Sequence, residues 1–336
     1  MSRQYLIKET GKFYKANLHS HSNLSDGRLT PEEMKKAYKD HGYSILSLTD
    51  HEILLDHRDM SDDDFLMLNG YEIDISDDST DKQLHANLFP IDQNNLTQVC
   101  YSNEYVWGNA RNYINQIKFD YDGYKRVHTP EKINEFVKIA TEHGFLVSFN
   151  HPVWSCEVYE DYIHYDGFFA MEILNYGCYI DDGLPEYNPV VYDAMLRHGH
   201  RLGCISTDDN HDWKPFEHPQ CDSFGGFTMI KADALTADEV IKSLQNYDYY
   251  ASTGPEIKEL YVEDFKVHIT TSDARFIRIS GDSRKGGVVA ANEGDTVNSA
   301  VFDLEGKRWN YFRLEVRDWK GNVANSNAYF LDGIER

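Results

Sequence analysis

Between residue 13 and about residue 255, short apolar runs alternate with amphipathic helical patterns. This alternation restricts the fold more than any other feature, because strands that alternate with helices form a mostly parallel sheet or barrel. It predicts an α/β domain. The apolar runs predicted as strands are FYKANLHSH, SILSLTDH, LMLNGYEI, LHANLFPI, FLVSFNHP, FFAMEILN, LGCISTDDNH and GGFTMI.

Four helices are predicted from the residues that precede them. Each of these residues carries a side chain that can accept hydrogen bonds from the free N–H groups of a first helical turn. They are Thr30, Thr129, Asn188 and Thr236. Pro follows the first three, at the helical position where its missing N–H is not needed. We therefore expect helices from residues 31, 130, 189 and 237.

The helical period disappears after Pro255. Short runs that alternate between apolar and polar residues replace it, and this pattern predicts strands. We expect residues 1–255 to form the main domain and residues 256–336 to form a small antiparallel β-sandwich.

One segment, residues 98–128, interrupts the β–α alternation and is rich in Tyr, Asn, Arg and Lys. Long insertions of this kind are usually lids or binding loops. A surface excursion that only covers one end of the sheet is an equal alternative. The segment is therefore predicted as a lid-like insertion, with both interpretations open.

Charge and composition exclude several classes of function. The chain has 33 Lys and Arg against 56 Asp and Glu, a net charge of −23, which argues against binding of nucleic acid through its phosphates. No leader pattern and no long apolar run is present, so we expect no membrane association and a cytoplasmic location. The motifs of P-loop NTPases, serine hydrolases and dinucleotide-binding proteins are also missing.

His19 and His21 form an H-x-H pair at the end of a predicted strand. The period of two places both imidazoles on one face, where they can chelate one metal ion. Asp26 follows in a Ser-Asp-Gly turn that can bring its carboxylate back over the strand end. Each feature alone has an ordinary explanation, a solvated strand for the histidines and a simple turn for Asp26.

Further histidines and carboxylates lie at or near the ends of the later strands. They are His51, Glu72, His85, His151, Asp209 and His211. Because catalytic groups converge at the carboxyl ends of parallel strands, the whole set predicts one metal centre. Asp50 is predicted to orient a ligand or to cap a helix, and Asp208 to orient His211 or a neighbouring ligand.

The ligand chemistry predicts hydrolysis. Imidazole and carboxylate ligands together suit Zn, Mn or Fe better than Ca or Mg. Three carboxylates neutralise only half of the charge of three divalent ions, which leaves a site that attracts a phosphate dianion. Such ions lower the pKa of bound water towards about 7.

The motifs NLHSHSNLSDG, LSLTDHE, GYEI, NHP and DNH, across roughly residues 15–215, resemble those of the polymerase and histidinol phosphatase (PHP) superfamily. This resemblance implies a distorted (β/α)7 barrel, two or three divalent transition-metal ions, and phosphoesterase activity. It implies a first metal held by His19, His21, Glu72 and Asp209. It implies a second held by bridging Glu72 with His85 and His151, and a third held by Asp26, His51 and His211.

Two details refine the resemblance. Asp26 in its SDG context is similar to the small-molecule phosphoesterase branch, and YYASTGPEI followed by a β-sandwich is similar to the carbaryl-hydrolase-related branch. The expected function is therefore hydrolysis of a small phosphorylated metabolite by a metal-bound hydroxide, with Glu72, Asp26 and His211 as catalytic residues. A hydrolase of carboxylic or carbamic esters is one alternative. A catalytically inactive metal-binding scaffold with a partner-binding sandwich is another.

Substrate contacts are predicted for Arg126, His128 and Trp154. Arg126 and His128 share a face if that stretch is extended, and a guanidinium fits a phosphate. Trp154 follows His151 closely and is predicted at the pocket mouth. Salt bridges with the acidic surface are the alternative for the two basic residues, and ordinary packing is the alternative for Trp154. Glu172 is a weaker candidate at another strand end.

Overall fold

Two β-sheets contain most of the strands in this computed structural model, which describes residues 3–77 and 79–335. The strands are β1 Gln4–Tyr5, β2 Lys12–Asn17, β3 Ile45–Leu48, β4 Leu66–Asn69, β5 Tyr71–Asp77, β6 Lys82–Pro90, β7 Thr97–Gln98, β8 Lys118–Phe119, β9 Phe145–Phe149, β10 Ala170–Asn175, β11 Gly203–Thr207, β12 Phe227–Ala232, β13 Tyr249–Ser252, β14 Ile257–Glu263, β15 Lys266–Ala274, β16 Phe276–Gly281, β17 Gly287–Ala290, β18 Val297–Asp303, β19 Tyr311–Arg317, β20 Val323–Ser326 and β21 Tyr329–Phe330. The α-helices are α1 Pro31–Asp40, α2 Pro130–Glu142, α3 Tyr159–Tyr162, α4 Tyr176–Ile180, α5 Pro189–His198 and α6 Ala237–Gln245. Short 3₁₀ helices span Arg58–Met60, Gly108–Gln116 and Leu331–Gly333.

The helices begin where the sequence predicts them. Thr30, Thr129 and Thr236 accept hydrogen bonds from the first turns of α1, α2 and α6, and Thr30 forms a full capping box with Glu33. Asn188 precedes α5 without a capping hydrogen bond to its side chain, whose amide N–H donates to Glu186.

The two large sheets are mixed, because each contains both parallel and antiparallel strand pairs. A five-stranded sheet has the order β11-β10-β9-β6-β5, and a ten-stranded sheet has the order β17-β16-β19-β20-β13-β12-β2-β3-β4 with β21 paired to β19. The pairs β2–β3, β3–β4, β9–β10 and β10–β11 are parallel. The α/β class is as predicted, but no closed barrel is found among residues 3–77 and 79–335.

The departure from a barrel has a local cause. Only four residues separate β5 from β6, whereas a parallel connection needs a dozen or more, so the two strands pair antiparallel. The chain also changes sheets between β4 and β5, at Gly70. A Cβ atom at Gly70 would lie 2.7 Å from the Ser47 hydroxyl oxygen, so this close crossing requires glycine. The two sheets thus meet beside residue 72.

Helices α2, α4 and α5 pack against the five-stranded sheet, and α1 and α6 pack against the ten-stranded sheet. In α2, Ile133, Phe136, Val137 and Ala140 are buried, and their spacing is that of one helical face. Burial of each large apolar side chain contributes about 1.5–3 kcal/mol. This packing fixes the strands whose ends carry the polar cluster described below.

The C-terminal segment consists of antiparallel strands. The four-stranded sheet β1-β14-β15-β18 packs against strands β16, β19 and β20 through a shared apolar core that includes Leu260, Ile269, Ile277 and Leu314. The larger sheet continues across residue 255, because β13 pairs with β20. The domain boundary near 255 stays a prediction. No helix in the described part of the chain has the length and apolar character needed to cross a bilayer.

Candidate metal centre

Nine side chains predicted as metal ligands lie together at one edge of the two sheets. Most of them follow directly after strands, so their positions depend on strands that are themselves buried. Glu72 and His85 instead lie within the antiparallel pair β5 and β6. The groups whose ligand atoms lie within 4.8 Å of one another are His21, Asp26, His51 and His211; His19, His21 and Glu72; His19, His151 and Asp209; and His51, Glu72 and His85.

Glu72 lies at the centre of this cluster, which we call the carboxyl-end cluster. Its Oε1 lies 3.1 Å from His19 Nε2 and 3.3 Å from His85 Nδ1. Its Oε2 lies 3.2 Å from His51 Nδ1 and 3.4 Å from His21 Nε2. One carboxylate therefore faces four imidazoles.

The cluster has the spacing that metal ligation requires. Ligand atoms around one tetrahedral ion, with bonds of about 2.1 Å, lie about 3.4 Å apart. His19 Nε2 and His21 Nε2 each lie 3.0 Å from Asp209 Oδ1, and His211 Nε2 lies 3.3 Å from Asp26 Oδ2. These residues can hold divalent ions without rearrangement of the strands.

Unsatisfied polar atoms support the same interpretation. Glu72 Oε2, His51 Nδ1 and His21 Nδ1 are buried and have no hydrogen-bond partner among the described residues. Buried polar atoms are normally paired, since each unpaired one costs about 1–3 kcal/mol. Metal ions would satisfy all three atoms.

The charges in the cluster stabilise one another. Burial is the largest influence on the pKa of Glu72 and would raise it, but His19, His85 and His51 together lower this pKa well below its usual range. For His211, burial lowers the pKa, yet the hydrogen bond with Asp26 outweighs it and the pKa rises to about 10. Burial and the neighbouring His21 lower the pKa of His51 to about 3.

A buried carboxylate, Glu172 on β10, orients two of the ligands. Its Oε1 lies 2.7 Å from His19 Nδ1, and its Oε2 accepts hydrogen bonds from the backbone N–H of His151 and from Asn175 Nδ2. An acceptor on one imidazole nitrogen leaves the other nitrogen free for a metal. Asn150 acts similarly, because its amide donates to Glu72 Oε1 at 2.8 Å.

Asp50 and Asp208 bind loops. Asp50 accepts hydrogen bonds from the N–H and hydroxyl of Ser22 and from the hydroxyl of Ser25, next to Asp26, and it caps no helix. Asp208 accepts hydrogen bonds from the Tyr38 hydroxyl and from the N–H groups of residues 224–226. The sequence predicted that Asp208 orients His211 or a neighbouring ligand. These hydrogen bonds show instead that Asp208 does not orient His211 directly.

Seven of the nine predicted ligands, all except the fully buried His19 and His21, line a pocket of about 510 Å³. Three indoles line it, from Trp107, Trp154 and Trp213. The Trp154 ring centre lies 5.0 Å from that of His85 and 4.9 Å from that of His151, and the Trp107 ring centre lies 5.2 Å from that of His51. Trp154 is thus placed at the pocket, where the sequence predicts it.

Arg126 and His128 do not line this pocket. Arg126 is buried and binds both carboxylate oxygens of Glu52, at 2.6 and 2.7 Å, and its guanidinium also donates to the Asp74 carbonyl. His128 pairs with Glu157 at 2.9 Å. The structure therefore departs from the predicted phosphate contacts, because internal carboxylates occupy both basic groups.

Several lining residues are absent from the sequence-based set. They are Asp74, Gln83, Trp107, Cys178, Asp181, Asp182, Trp213 and Asp222. Asp222 accepts a hydrogen bond from the backbone N–H of His211 at 2.7 Å and so supports that ligand from a distant loop. The sequence signals were the proximity of Asp74 to Glu72 and of Trp213 to His211, and the position of Trp107 in the predicted 98–128 insertion.

No family model matches the chain, and no curated protein sequence matches it. Among solved structures, it is similar to a two-domain protein from Bacteroides vulgatus containing a predicted PHP-like metal-dependent phosphoesterase, with 16% identity and a TM-score of 0.44 over 97% of this chain and 99% of that chain. It is similar to a proposed metal-dependent phosphoesterase from Bifidobacterium adolescentis, with 14% identity and a TM-score of 0.39 over 62% and 92% of the two chains. An amidohydrolase from Chromobacterium violaceum with bound sulfate and no metal gives 17% identity and a TM-score of 0.40 over 61% and 93%. At this level of similarity, the chemistry of the chain has to be argued from its own side chains.

Proposed function

We propose that the protein is a metal-dependent hydrolase that acts on a small phosphorylated molecule. The observation that carries the proposal is the convergence of six imidazoles and three carboxylates in one cluster, of which four imidazoles and all three carboxylates line one pocket. Such ligands suit Zn, Mn or Fe. Divalent ions held there would generate a nucleophile from water near neutral pH and stabilise the charge on a phosphoryl group.

Glu72 is proposed to bridge two ions. Each of its two oxygens faces one imidazole of the first ligand set and one of another set, with Oε1 towards His19 and His85 and Oε2 towards His21 and His51. A single carboxylate in this position keeps two ions in register and contributes charge to both. We retain the ligand sets implied by the resemblance as part of this proposal.

Asp26 and His211 are proposed to act nearest the substrate. Their side chains are 25% and 27% exposed, whereas the other seven ligands are at most 9% exposed. Their exposure and their position in the pocket lining support a role for these two groups next to the substrate. Together with His51 they form the proposed third ligand set.

The same residues support membership of the PHP superfamily, as part of this proposal. The YYASTGPEI segment forms β13 and the approach to β14, where the antiparallel C-terminal strands begin. This arrangement supports the finer proposal of the carbaryl-hydrolase-related branch.

A hydrolase of carboxylic or carbamic esters is a second candidate. One observation favours it: the residues that line the pocket, all within the described part of the chain, include no Lys and no Arg. Sites that bind phosphate commonly carry such a cation. A neutral ester does not need one.

The test uses the full chain stripped of metal and reloaded with Mn or Zn. We expect elemental analysis to give two or three ions per chain, reloading to raise the melting temperature, and activity on p-nitrophenyl phosphate to return with the metal. Activity only on p-nitrophenyl acetate would favour the second candidate. Absence of both metal uptake and a thermal shift would overturn the proposal. Asp63→Asn, an exposed acid outside the pocket, is the matched control for loss of a carboxylate.

A further inference from the structure

We propose that the organic part of the substrate carries an ammonium group, bound between three indoles and a pair of carboxylates above the metal centre. The indoles are those of Trp107, Trp154 and Trp213, and the carboxylates are those of Asp181 and Asp182. This inference rests on the proposed function, since it names the class of phosphoester that the same pocket would accept.

The indoles come from three separate segments and meet at one pocket. Trp107 belongs to the 98–128 insertion, Trp154 follows His151, and Trp213 follows His211. Trp107 and Trp213 remain 43% and 62% exposed. Exposed large rings that face one cavity mark a surface that a ligand covers.

Aromatic rings bind both neutral and cationic ligands, and the acidic wall of the pocket favours the cationic ones. Beyond the metal ligands, its ionisable side chains are Asp74, Asp181, Asp182 and Asp222, with the Cys178 thiol, and no Lys or Arg lines it in the described part of the chain. Asp222 accepts hydrogen bonds from backbone N–H groups through Oδ2, and Asp74 accepts from the Ser76 hydroxyl. Asp181 and Asp182 form no ion pair within residues 3–77 and 79–335. A cation in the ligand would compensate both.

The neighbours of Asp182 increase the need for such a cation. Burial and then the adjacent charge of Asp181 raise the pKa of Asp182. Carboxylates that repel one another bind a positive group favourably. A neutral aromatic ligand would satisfy the indoles but would leave this repulsion in place.

An unpaired buried polar atom in the lining indicates that the same pocket binds a ligand. Asp222 Oδ1, on a lining residue that is not a proposed metal ligand, is buried and lacks a hydrogen-bond partner among the described residues. The metal centre would hold the phosphate, and the acidic and aromatic wall would hold the ammonium. The complete substrate is therefore an ammonium-bearing phosphoester.

The first experiment measures binding without turnover, using choline and its neutral isostere 3,3-dimethylbutan-1-ol as probes for the metal-loaded full chain. Partly exposed indoles favour a cation about threefold, and attraction to the two carboxylates adds about a further fivefold, so we expect choline to bind about 10- to 30-fold more tightly by quenching of indole fluorescence. Equal dissociation constants for the two probes would overturn the inference.

Variants of the full chain test which side chains cause the preference for choline over its neutral isostere. Asp181→Asn combined with Asp182→Asn should reduce it to about threefold or less, because only the indoles then favour the cation. Trp213→Leu should also reduce it. Asp63→Asn and Trp319→Leu, which change an exposed acid and an exposed indole outside the pocket, should retain it. A preference unchanged in the double Asp variant would contradict the assignment.

The second experiment compares kcat/KM for phosphocholine and 3,3-dimethylbutyl phosphate. A preference of about tenfold for phosphocholine supports the inference together with the proposed function. Choline binding without hydrolysis of any phosphoester would support the ammonium site and overturn the phosphoesterase. Hydrolysis of both esters at equal rates would retain the phosphoesterase and overturn the ammonium site.

Discussion

Two groups of histidines lie at opposite ends of the strands, and only one of them has the form of a metal centre. The carboxyl-end cluster combines six imidazoles with three carboxylates. The amino-end cluster, which we define as His164, His198 and His200, lies before β10 and β11 beside a crevice of about 890 Å³. The larger cavity therefore belongs to the histidines with fewer acidic partners.

The two histidine clusters differ in whether carboxylates lie between the imidazoles. At the amino end, His198 has its ring centre 6.0 Å from that of His164 and 5.5 Å from that of His200. His200 Nε2 already contacts the Ile163 carbonyl, and the carboxylate of Asp166, 83% exposed, lies 4.0 Å from its other nitrogen. Among the described residues, no metal-binding group includes these three histidines. Carboxylates interleaved with free imidazole nitrogens, and not histidine density, distinguish a metal centre.

The strongest test of this comparison is Glu72→Gln against His198→Gln. The first removes the proposed bridge, and loss of about 4 kcal/mol of transition-state stabilisation corresponds to about a 1,000-fold fall in kcat. The second changes a histidine of the amino-end cluster and should leave both kcat and metal content unaltered. Kinetics at matched metal occupancy decide the result. Wild-type activity of Glu72→Gln at full occupancy would refute the bridging role.

A second prediction compares an arginine at each end. Arg126 pairs with Glu52 in the interior, where both side chains are at most 2% exposed, whereas Arg201 pairs with Asp332 on the surface. Arg126→Met leaves a buried carboxylate uncompensated and should lower the free energy of unfolding by about 3–5 kcal/mol. Arg201→Met should lower it by less than about 1 kcal/mol. Urea denaturation of both variants measures the difference.

The same pair links the 98–128 insertion to the metal centre. Glu52 follows His51 directly and has φ of +65°, a left-handed conformation that is strained for a residue other than glycine. Arg126 holds Glu52 in this conformation, so it is a positioning residue. The double variant Arg126→Met with Glu52→Gln should recover part of the lost stability, and a double variant no more stable than Arg126→Met would exclude the pairing as the cause.

A third prediction concerns the carboxylates that orient histidines. Glu172→Gln replaces an acceptor beside His19 Nδ1 and should weaken metal affinity about 10- to 100-fold, as measured by competition with a chelator. Asp166→Asn makes the matching change beside His200 and should leave the affinity unchanged. Equal effects of the two substitutions would show that Glu172 acts only through general electrostatics.

The sequence predicted the part of the site that depends on strand ends. His19, His51 and His151 follow buried strands, and the meeting of parallel strand ends at one edge can be inferred from the pattern alone. The change of sheet at Gly70 and the antiparallel pairing of β5 with β6 could not be inferred, because they depend on the path of the chain through the folded structure. A mostly parallel barrel was therefore expected where two mixed sheets occur.

The pocket wall was less predictable for a related reason. Asp181, Asp182 and Trp213 lie outside the strands, in connections whose positions are set by tertiary contacts. Arg126 appeared available for a phosphate because its partner, Glu52, is distant in sequence and turns inwards only in the folded chain. A charge pattern along the chain does not show which cations are already paired.

His128 has a single carboxylate partner, fewer than the carboxyl-end cluster provides, and its substitution gives the smallest expected change in stability. His128 Nε2 lies 2.9 Å from Glu157, which also accepts hydrogen bonds from the Tyr165 hydroxyl. Burial lowers the pKa of His128, but the hydrogen bond and charge of Glu157 outweigh it and raise this pKa above 6.5. The stabilisation by the charged pair is therefore complete below about pH 6.5 and is lost as the pH rises through the higher pKa of the folded state.

His128→Gln removes the titrating group but keeps a hydrogen-bond donor of similar reach. The loss of unfolding free energy relative to wild type should be about 1 kcal/mol larger at pH 6 than at pH 9, measured by urea denaturation at each pH. A His128→Gln difference that is constant with pH would mean that the pair is held by packing alone. In that case one carboxylate does not keep an imidazole charged in this protein, and the shifts in the carboxyl-end cluster depend on several carboxylates acting together.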